Sequence, residues 1–308
     1  EQEYVWLPRP DVLRFEEITR LVHIFIDIGI DRVRLTGGEP LLRRDLPALV
    51  RMLSATGGLN DIALTTNGIL LAELGRPLRD AGLQRVTVSL DTLRPDRFLA
   101  VTRLDAHGAV LEGVRSAREV FREVKLDAVI VGGTNDDEIV PLMEYAKSND
   151  LEIRFIEYMD VGGATAWSIK KVVSGQRILE VLARQYGRIE EIREESSAPA
   201  QRFHLLDGTV FGVIASTTVP FCRACDRSRL TADGLWYRCL YATTGVDLRA
   251  PLRAGHSDAH IRSLVEDGWR ARDDRGAERR LEQRDRSTLV PREALRTDPH
   301  LEMHTRGG

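Results

Sequence analysis

The chain has 308 residues, 43% of them hydrophobic, enough for one large α/β domain or a domain with an appendage. A net charge of −3, with 30% charged residues, excludes a general nucleic-acid surface, so any anion must be met by local arginine clusters. No apolar run is long enough to span a bilayer, and the acidic opening Glu1-Gln2-Glu3 is not a signal peptide; no membrane partner and a cytoplasmic setting are expected.

In chain order, Phe15 to Ile28 has helical apolar spacing stopped by Gly29, and Arg32 to Thr36 is a short strand entering Gly37-Gly38-Glu39-Pro40. Helix is predicted over Leu46 to Leu53, strand over Asp61 to Thr66 and helix around Leu70 to Ala81. Strand follows over Arg85 to Leu90, then helix near Asp96 to Thr102 and from Ala109 to Phe121. Lys125 to Val131 is a strand, Glu138 to Lys147 a helix and Glu152 to Tyr158 a strand. Strand, loop and helix recur at intervals of roughly thirty residues, the mark of βαβ units on a parallel sheet. Right-handed crossovers curl such a sheet into a doubly wound form or a barrel. The strands end in TGGEP, TTNG, SLD, GGTND and YMDVGG, and ligands of parallel α/β folds bind at that rim.

After Gly163 the rhythm stops. Gln176 to Tyr186 is helical, and Gln201 to Leu206 with Thr209 to Ala215 flank the hairpin signal Asp207-Gly208. Val246 to Leu252 and a helical stretch over Asp258 to Asp267 come later. Arg270 to Arg286 is dense in both charges and is read as solvated helix or loop, not a binding surface.

All three cysteines, Cys222, Cys225 and Cys239, lie in FCRACDRSRLTADGLWYRCL. A C-x-x-C pair puts two thiols on one turn, and Asp233-Gly234 folds the chain so that the third returns. Arg227 and Arg229, two residues apart, leave one strand face together. The set is one thiolate short of a structural Cys₄ zinc site, and three thiols cannot all pair as disulfides. An iron–sulfur cluster with one iron left open, a zinc knuckle completed by a histidine, and three unrelated thiols are the possible readings. Gathering every cysteine into one short segment of a long chain favours a bound metal or cluster, in a reducing compartment.

TGGEPLLRRDL, ALTTNG, TVSLD, TNDDE, RFIEYMDVG and FCRACDRSRLTADG, in this order, closely resemble the GTP 3′,8-cyclases of molybdenum cofactor biosynthesis, a family of radical SAM enzymes. The resemblance runs from about Trp6 to Val246 and returns at Gly307-Gly308; the cysteine segment is its most specific piece. It implies an incomplete triosephosphate-isomerase-type barrel (residues 1–163) with its first strand missing, and a C-terminal GTP- and cluster-binding region (164–308). It implies S-adenosyl-L-methionine cleaved at an N-terminal 4Fe–4S cluster, and GTP held at the open iron of a C-terminal one. The product, by the same resemblance, passes to cyclic pyranopterin phosphate synthase, and the enzyme is a homodimer. Cys222, Cys225 and Cys239 match the C-terminal cluster ligands. Arg34, Thr65, Lys125, Arg227 and Arg229 match GTP contacts, and Gly38, Ser89 and Met159 match SAM contacts. Gly307-Gly308 matches a tail that reaches the active site.

The pattern is departed from in places. The C-x-x-x-C-x-x-C loop of the N-terminal cluster and the first strand do not appear, as if the sequence started just past them. A fragment of an ordinary enzyme is the expectation; the alternative is an inactive homologue that binds GTP and one cluster. A zinc-stabilised domain without nucleotide is a third reading. Loss of the first strand is expected to leave an open sheet edge. Asp226 and Asp127 stand where the family usually has asparagine, adding negative charge near a triphosphate.

Overall fold

Strands of four to eight residues carry apolar side chains on one face and polar ones on the other, so the sheet they build has one face for helices and one for a ligand. The computed structural model describes residues 7–161, 166–194, 197–283 and 286–307. The chain runs α1 (Phe15–Asp27), β1 (Arg32–Leu35), α2 (Leu46–Ala55), β2 (Asp61–Thr66), α3 (Leu71–Asp80) and β3 (Arg85–Ser89). It continues through α4 (Pro95–Thr102), α5 (His107–Val120), β4 (Glu123–Ile130), α6 (Ile139–Ser148), β5 (Glu152–Glu157) and α7 (Gly175–Tyr186). A run of β6 (Ile189–Ile192), β7 (Gln201–Leu205) and β8 (Val210–Ile214) follows.

These strands form one sheet in the order β1-β2-β3-β4-β5-β8-β7-β6. From β1 to β5 every neighbour is parallel, and β8 joins β5 in the same sense. β7 and β6 then add antiparallel. β1 and β6 stand at opposite ends, so the sheet is an open partial barrel, and β1 is the expected open edge. The expected division at 163 falls on residues 162–165, outside those described, and three later strands complete the same sheet.

The helix-covered face holds the main core: Leu64 of β2, Val88 of β3, Leu126 of β4 and Phe155 of β5 pack with Val50 of α2, Leu71 of α3 and Val114 of α5. Each such side chain contributes roughly 1.5–3 kcal/mol when fully buried. α1 is two-faced. Val22 enters this core, whereas Leu21 and Ile24 enter a second one with Trp236, Leu248, Ile261 and Val265. That second core sits under a small antiparallel sheet of β9 (Arg229–Leu230), β10 (Leu235–Tyr237) and β11 (Val246–Asp247). Helices α8 (Arg249–Arg253) and α9 (Asp258–Arg270) close it, and α10 (Gly276–Leu281), α11 (Arg292–Thr297) and α12 (Met303–Arg306) complete the chain. Among the described residues no helix is long and apolar enough to cross a membrane.

One expectation holds only in part. Residues 270–283 are largely the solvated helix and loop expected, but three arginines of the charge-rich stretch turn inward. Arg280 and Arg286 both bind Asp160, which is 1% exposed, and Arg272 reaches the cysteine segment. A count of charges cannot reveal a buried partner more than a hundred residues away.

Candidate functional site

The open face of the sheet is a layered set of charges, because alternate residues of each strand point into it. In the lower layer an unbroken ladder links Asp61, Arg85, Glu123, Lys125, Glu152, Arg202 and Glu194, running from β2 to β5 and over β8 to β7. Lys125 is thus held between Glu123 at 3.2 Å and Glu152 at 3.0 Å. One layer nearer the rim, Arg34 Nη1 donates to Thr65 Oγ1 at 3.0 Å and Thr87 Oγ1 at 3.2 Å. Arg154 donates to both carboxylate oxygens of Asp127, at 2.6 and 2.9 Å, and to Thr87 Oγ1 at 3.2 Å. Asp127 therefore faces its own arginine. Burial pushes its carboxyl up, against the pull of Arg154. Among the described residues Arg34 forms no ion pair; Asp127 and Asp61 act on it only at a distance. Desolvation by the concave wall, and then the nearby Arg154 and Arg85, lower its pKa, although its side chain still meets solvent in the open groove. This is the condition in which a guanidinium gains most from an incoming anion.

At the rim, carboxylates fasten the loops. Glu39 of TGGEP accepts from Thr66 Oγ1 at 2.6 Å and Asn67 N at 2.7 Å, tying the loop after β1 to the TTNG end of β2. Glu157, fully buried at the end of β5, accepts from the backbone N–H groups of Gly175, Thr217 and Thr218. It so fixes both the start of α7 and the segment leading to the cysteines. Asp160 accepts from Arg280, from Arg286 and from the Tyr241 hydroxyl at 3.1 Å. Burial raises its pKa, but the two guanidiniums outweigh that and hold it below the usual carboxylate range.

The cysteine segment lies against this rim. Cys222 opens a single helical turn, with Cys225 N donating to Cys222 O at 3.2 Å. The hairpin at Gly234, whose φ of +89° suits glycine, sends β10 back and brings Cys239 round. Cys222 and Cys239 join an apolar patch with Met159, Val161, Tyr241, Ala277 and Met303. Cys222 and Cys225 line a cavity of ≈ 530 Å³ whose walls carry Arg223, Arg272, Arg275 and Arg279 against Asp273 and Asp274. Cys225 Sγ accepts from Arg227 at 3.5 Å and from Arg272 at 3.4 Å. Burial pushes the Cys225 thiol up, but the backbone N–H of Arg227 and these two guanidiniums prevail and lower it. Arg229 is desolvated, which lowers its pKa, and it stands within electrostatic reach of Arg227, Cys225, Cys239 and Arg306.

The thiols are half-buried and none is in a disulfide. Among the described residues no three of His, Cys, Asp and Glu are gathered as a single-ion site. An iron–sulfur cluster takes its thiolates at separate irons and asks only that they face a shared space. Cys222 and Cys225 share the cavity with guanidiniums, and Cys239 adjoins Cys222 in the apolar patch, a set of donors whose chemistry suits that group.

The C-terminal tail bridges the two halves. Arg229 Nε donates to Gly307 O at 3.3 Å. A Cβ on Gly307 would stand 2.5 Å from the Thr36 methyl, and φ there is +79°, so only glycine fits beside the TGGEP turn. Gly308 lies outside the described residues.

Residues 3–146 match the model of the radical SAM superfamily, and residues 151–278 match that of Molybdenum Cofactor Synthesis C. The chain is 53% identical to the GTP 3′,8-cyclase 3 of Mycobacterium bovis, over all of the chain and 83% of that protein. The chain belongs to the GTP 3′,8-cyclase family. It is also 38% identical to the GTP 3′,8-cyclase of Staphylococcus aureus, over 91% of the chain and 84% of that protein. Among solved structures, Streptococcus suis SuiB bound to S-adenosylmethionine matches 84% of the chain and 64% of its own, with a TM-score of 0.53 at 15% identity, a likeness of fold alone.

Of the cyclase-type residues expected from sequence, Arg34 and Thr65 are in direct contact, and Arg227 and Arg229 adjoin the cysteines. Gly38 and Ser89 lie exposed at the ends of β1 and β3, and Met159 touches the cysteine patch just past β5. Lys125 stands apart, engaged by two carboxylates in the lower layer. Asp226 accepts from Ser197 Oγ at 2.5 Å on the surface. Sequence reasoning missed Arg154, Asp160 and Arg272. Alternation in EIRFIEY placed Arg154 on the polar face of its strand and was signal enough; no local signal marks the other two.

Proposed function

We propose that this chain is the catalytic body of a GTP 3′,8-cyclase, converting GTP to (8S)-3′,8-cyclo-7,8-dihydroguanosine 5′-triphosphate in molybdenum cofactor biosynthesis. One observation supports the reading: Gly307 accepts from Arg229 of the cysteine segment and lies against Thr36 at the head of TGGEP, so the tail joins the two ends of the motif set. Cys222, Cys225 and Cys239 would hold the C-terminal 4Fe–4S cluster. Such a cluster would supply Lewis-acid chemistry for the nucleotide, and SAM would supply radical chemistry.

The protein's residues do the rest. Arg227 and Arg229 orient the nucleotide against the cysteines, since guanidinium forks suit phosphate oxygens. Arg34, steadied by Thr65 and Thr87, adds a third cation from the opposite wall. Lys125, held by Glu123 and Glu152 in the lower layer, enters as a GTP contact on the family resemblance alone. Gly38, Ser89 and Met159 line the strand ends on the SAM side. The three cysteines of the sequence are all in one segment, so the SAM-cleaving cluster needs ligands other than these. A division of labour near residue 163, a homodimer, a cytoplasmic setting and delivery of product to cyclic pyranopterin phosphate synthase rest on the family resemblance.

The test is anaerobic assay of the full gene product, including whatever precedes Glu1, after iron and sulfide reconstitution. GTP-dependent release of 5′-deoxyadenosine together with the cyclised nucleotide is expected. Neither product at full iron loading would overturn the reading.

A further inference from the structure

Arg272 lies in the segment that sequence reading treated as solvent-exposed, yet it makes two contacts with one cysteine. Its Nη1 donates to Cys225 O at 2.8 Å and its Nη2 to Cys225 Sγ at 3.4 Å. The guanidinium is seated on Trp269, with Cζ 4.5 Å from the ring centroid. Trp269 in turn packs at 6.4 Å on Trp236, which is 1% exposed in the second core. A buried ring, a half-exposed ring and a guanidinium therefore form a stack that ends on one sulfur. A fork that grips both the carbonyl and the sulfur of the same residue fixes that sulfur's direction as well as its charge. The neighbouring sulfurs are treated differently: Cys222 and Cys239 sit in the apolar patch. Arg223 lines the same cavity, and among the described residues it makes no hydrogen bond to a thiol.

We propose that Arg272 is a positioning residue for the cluster held by Cys222, Cys225 and Cys239: its N–H···S bond to Cys225 stabilises the reduced state and sets the potential at which the cluster accepts an electron. This rests on the reading that those thiols hold a 4Fe–4S cluster. The physical ground is that hydrogen bonds to cluster sulfurs favour the more negative, reduced form, and so raise the potential. Arg227, which donates to the same sulfur, contributes in the same direction from the nucleotide side.

The experiment uses the full chain reconstituted anaerobically, as wild type, Arg272→Gln, Arg272→Lys and Arg223→Gln. Iron and sulfide per chain are measured first, then the midpoint potential by dithionite titration followed by electron paramagnetic resonance. Arg272→Gln is expected to load iron and to be three- to tenfold harder to reduce, the upper end being about 59 mV for one electron. Arg272→Lys, with a point charge that cannot grip both atoms, should fall between. Arg223→Gln, which removes the same charge from the same cavity, should stay at the wild-type potential. A wild-type potential in Arg272→Gln, or an equal shift in Arg223→Gln, overturns the proposal. Should Arg272→Gln not load iron, Arg272→Lys decides: a lowered potential supports the assignment and an unchanged one overturns it. A wild type that binds no iron–sulfur cluster at all instead refutes the reading beneath it, which separates the two failures.

Discussion

Arg34 and Arg154 share Thr87 as an acceptor, yet only Arg154 has a carboxylate partner, so the two cations have different work. Replacing Arg34 by alanine should weaken GTP binding by tenfold or more, from about 1.5–3 kcal/mol for a lost charge-assisted hydrogen bond, and leave the melting temperature nearly unchanged. Calorimetric titration of both proteins with GTP checks this. The same wall corrects an expectation about Asp127. Its charge was to oppose the triphosphate, but the fork from Arg154 already answers it. A strand residue's face is legible in sequence as period-two alternation; which neighbour across the sheet will pair with it depends on register, and is not.

Asp91, at the end of β3, makes a pH prediction. Desolvation raises its pKa to about 6 from 3.8, against the bond it accepts from Val129 N. The folded state thus holds the proton more tightly than the unfolded one. The stability from neutral Asp91 is complete below about pH 4 and is lost as the pH rises to about 6. Wild type should lose about 1–2 kcal/mol of unfolding free energy over that window relative to Asp91→Asn, less than the full shift because the residue keeps some solvent contact. Urea melts of both proteins at several pH values measure it.

Among elements, the strand–helix repeat was legible because each strand ends in glycine or polar punctuation and each helix carries a continuous apolar stripe. The tight turns at Asp207-Gly208 and Asp233-Gly234 were legible for the same local reason. The inward turn of Arg280 and Arg286 was not, since it is decided by Asp160. That buried carboxylate fastens their stretch to the end of β5, beside Met159 and the cysteine patch. Asp160→Asn should cost about 3–5 kcal/mol, as breaking a buried ion pair leaves two guanidiniums uncompensated. Limited proteolysis should then cut between 270 and 290 well before the sheet is attacked. Unchanged melting and cleavage patterns would show that the arginines are held by something else.

For the whole molecule, two cores share α1, and the open sheet is faced by a cysteine-bearing lobe whose tail returns to the first strand. The motifs gave the sheet and the lobe separately. Their meeting point, Gly307 against Thr36, was marked only by the resemblance at Gly307-Gly308, since no local pattern encodes a fold-back over that distance. The account stands on that junction being a nucleotide site with a cluster in its wall. The most direct measurement is the electron paramagnetic resonance spectrum of the reduced, reconstituted chain, titrated with GTP and compared with Arg229→Ala. The spectrum is predicted to shift with saturating GTP in the wild type, and the variant should need at least tenfold more nucleotide for the same change. A spectrum indifferent to GTP, in a chain that holds its cluster, would contradict the account.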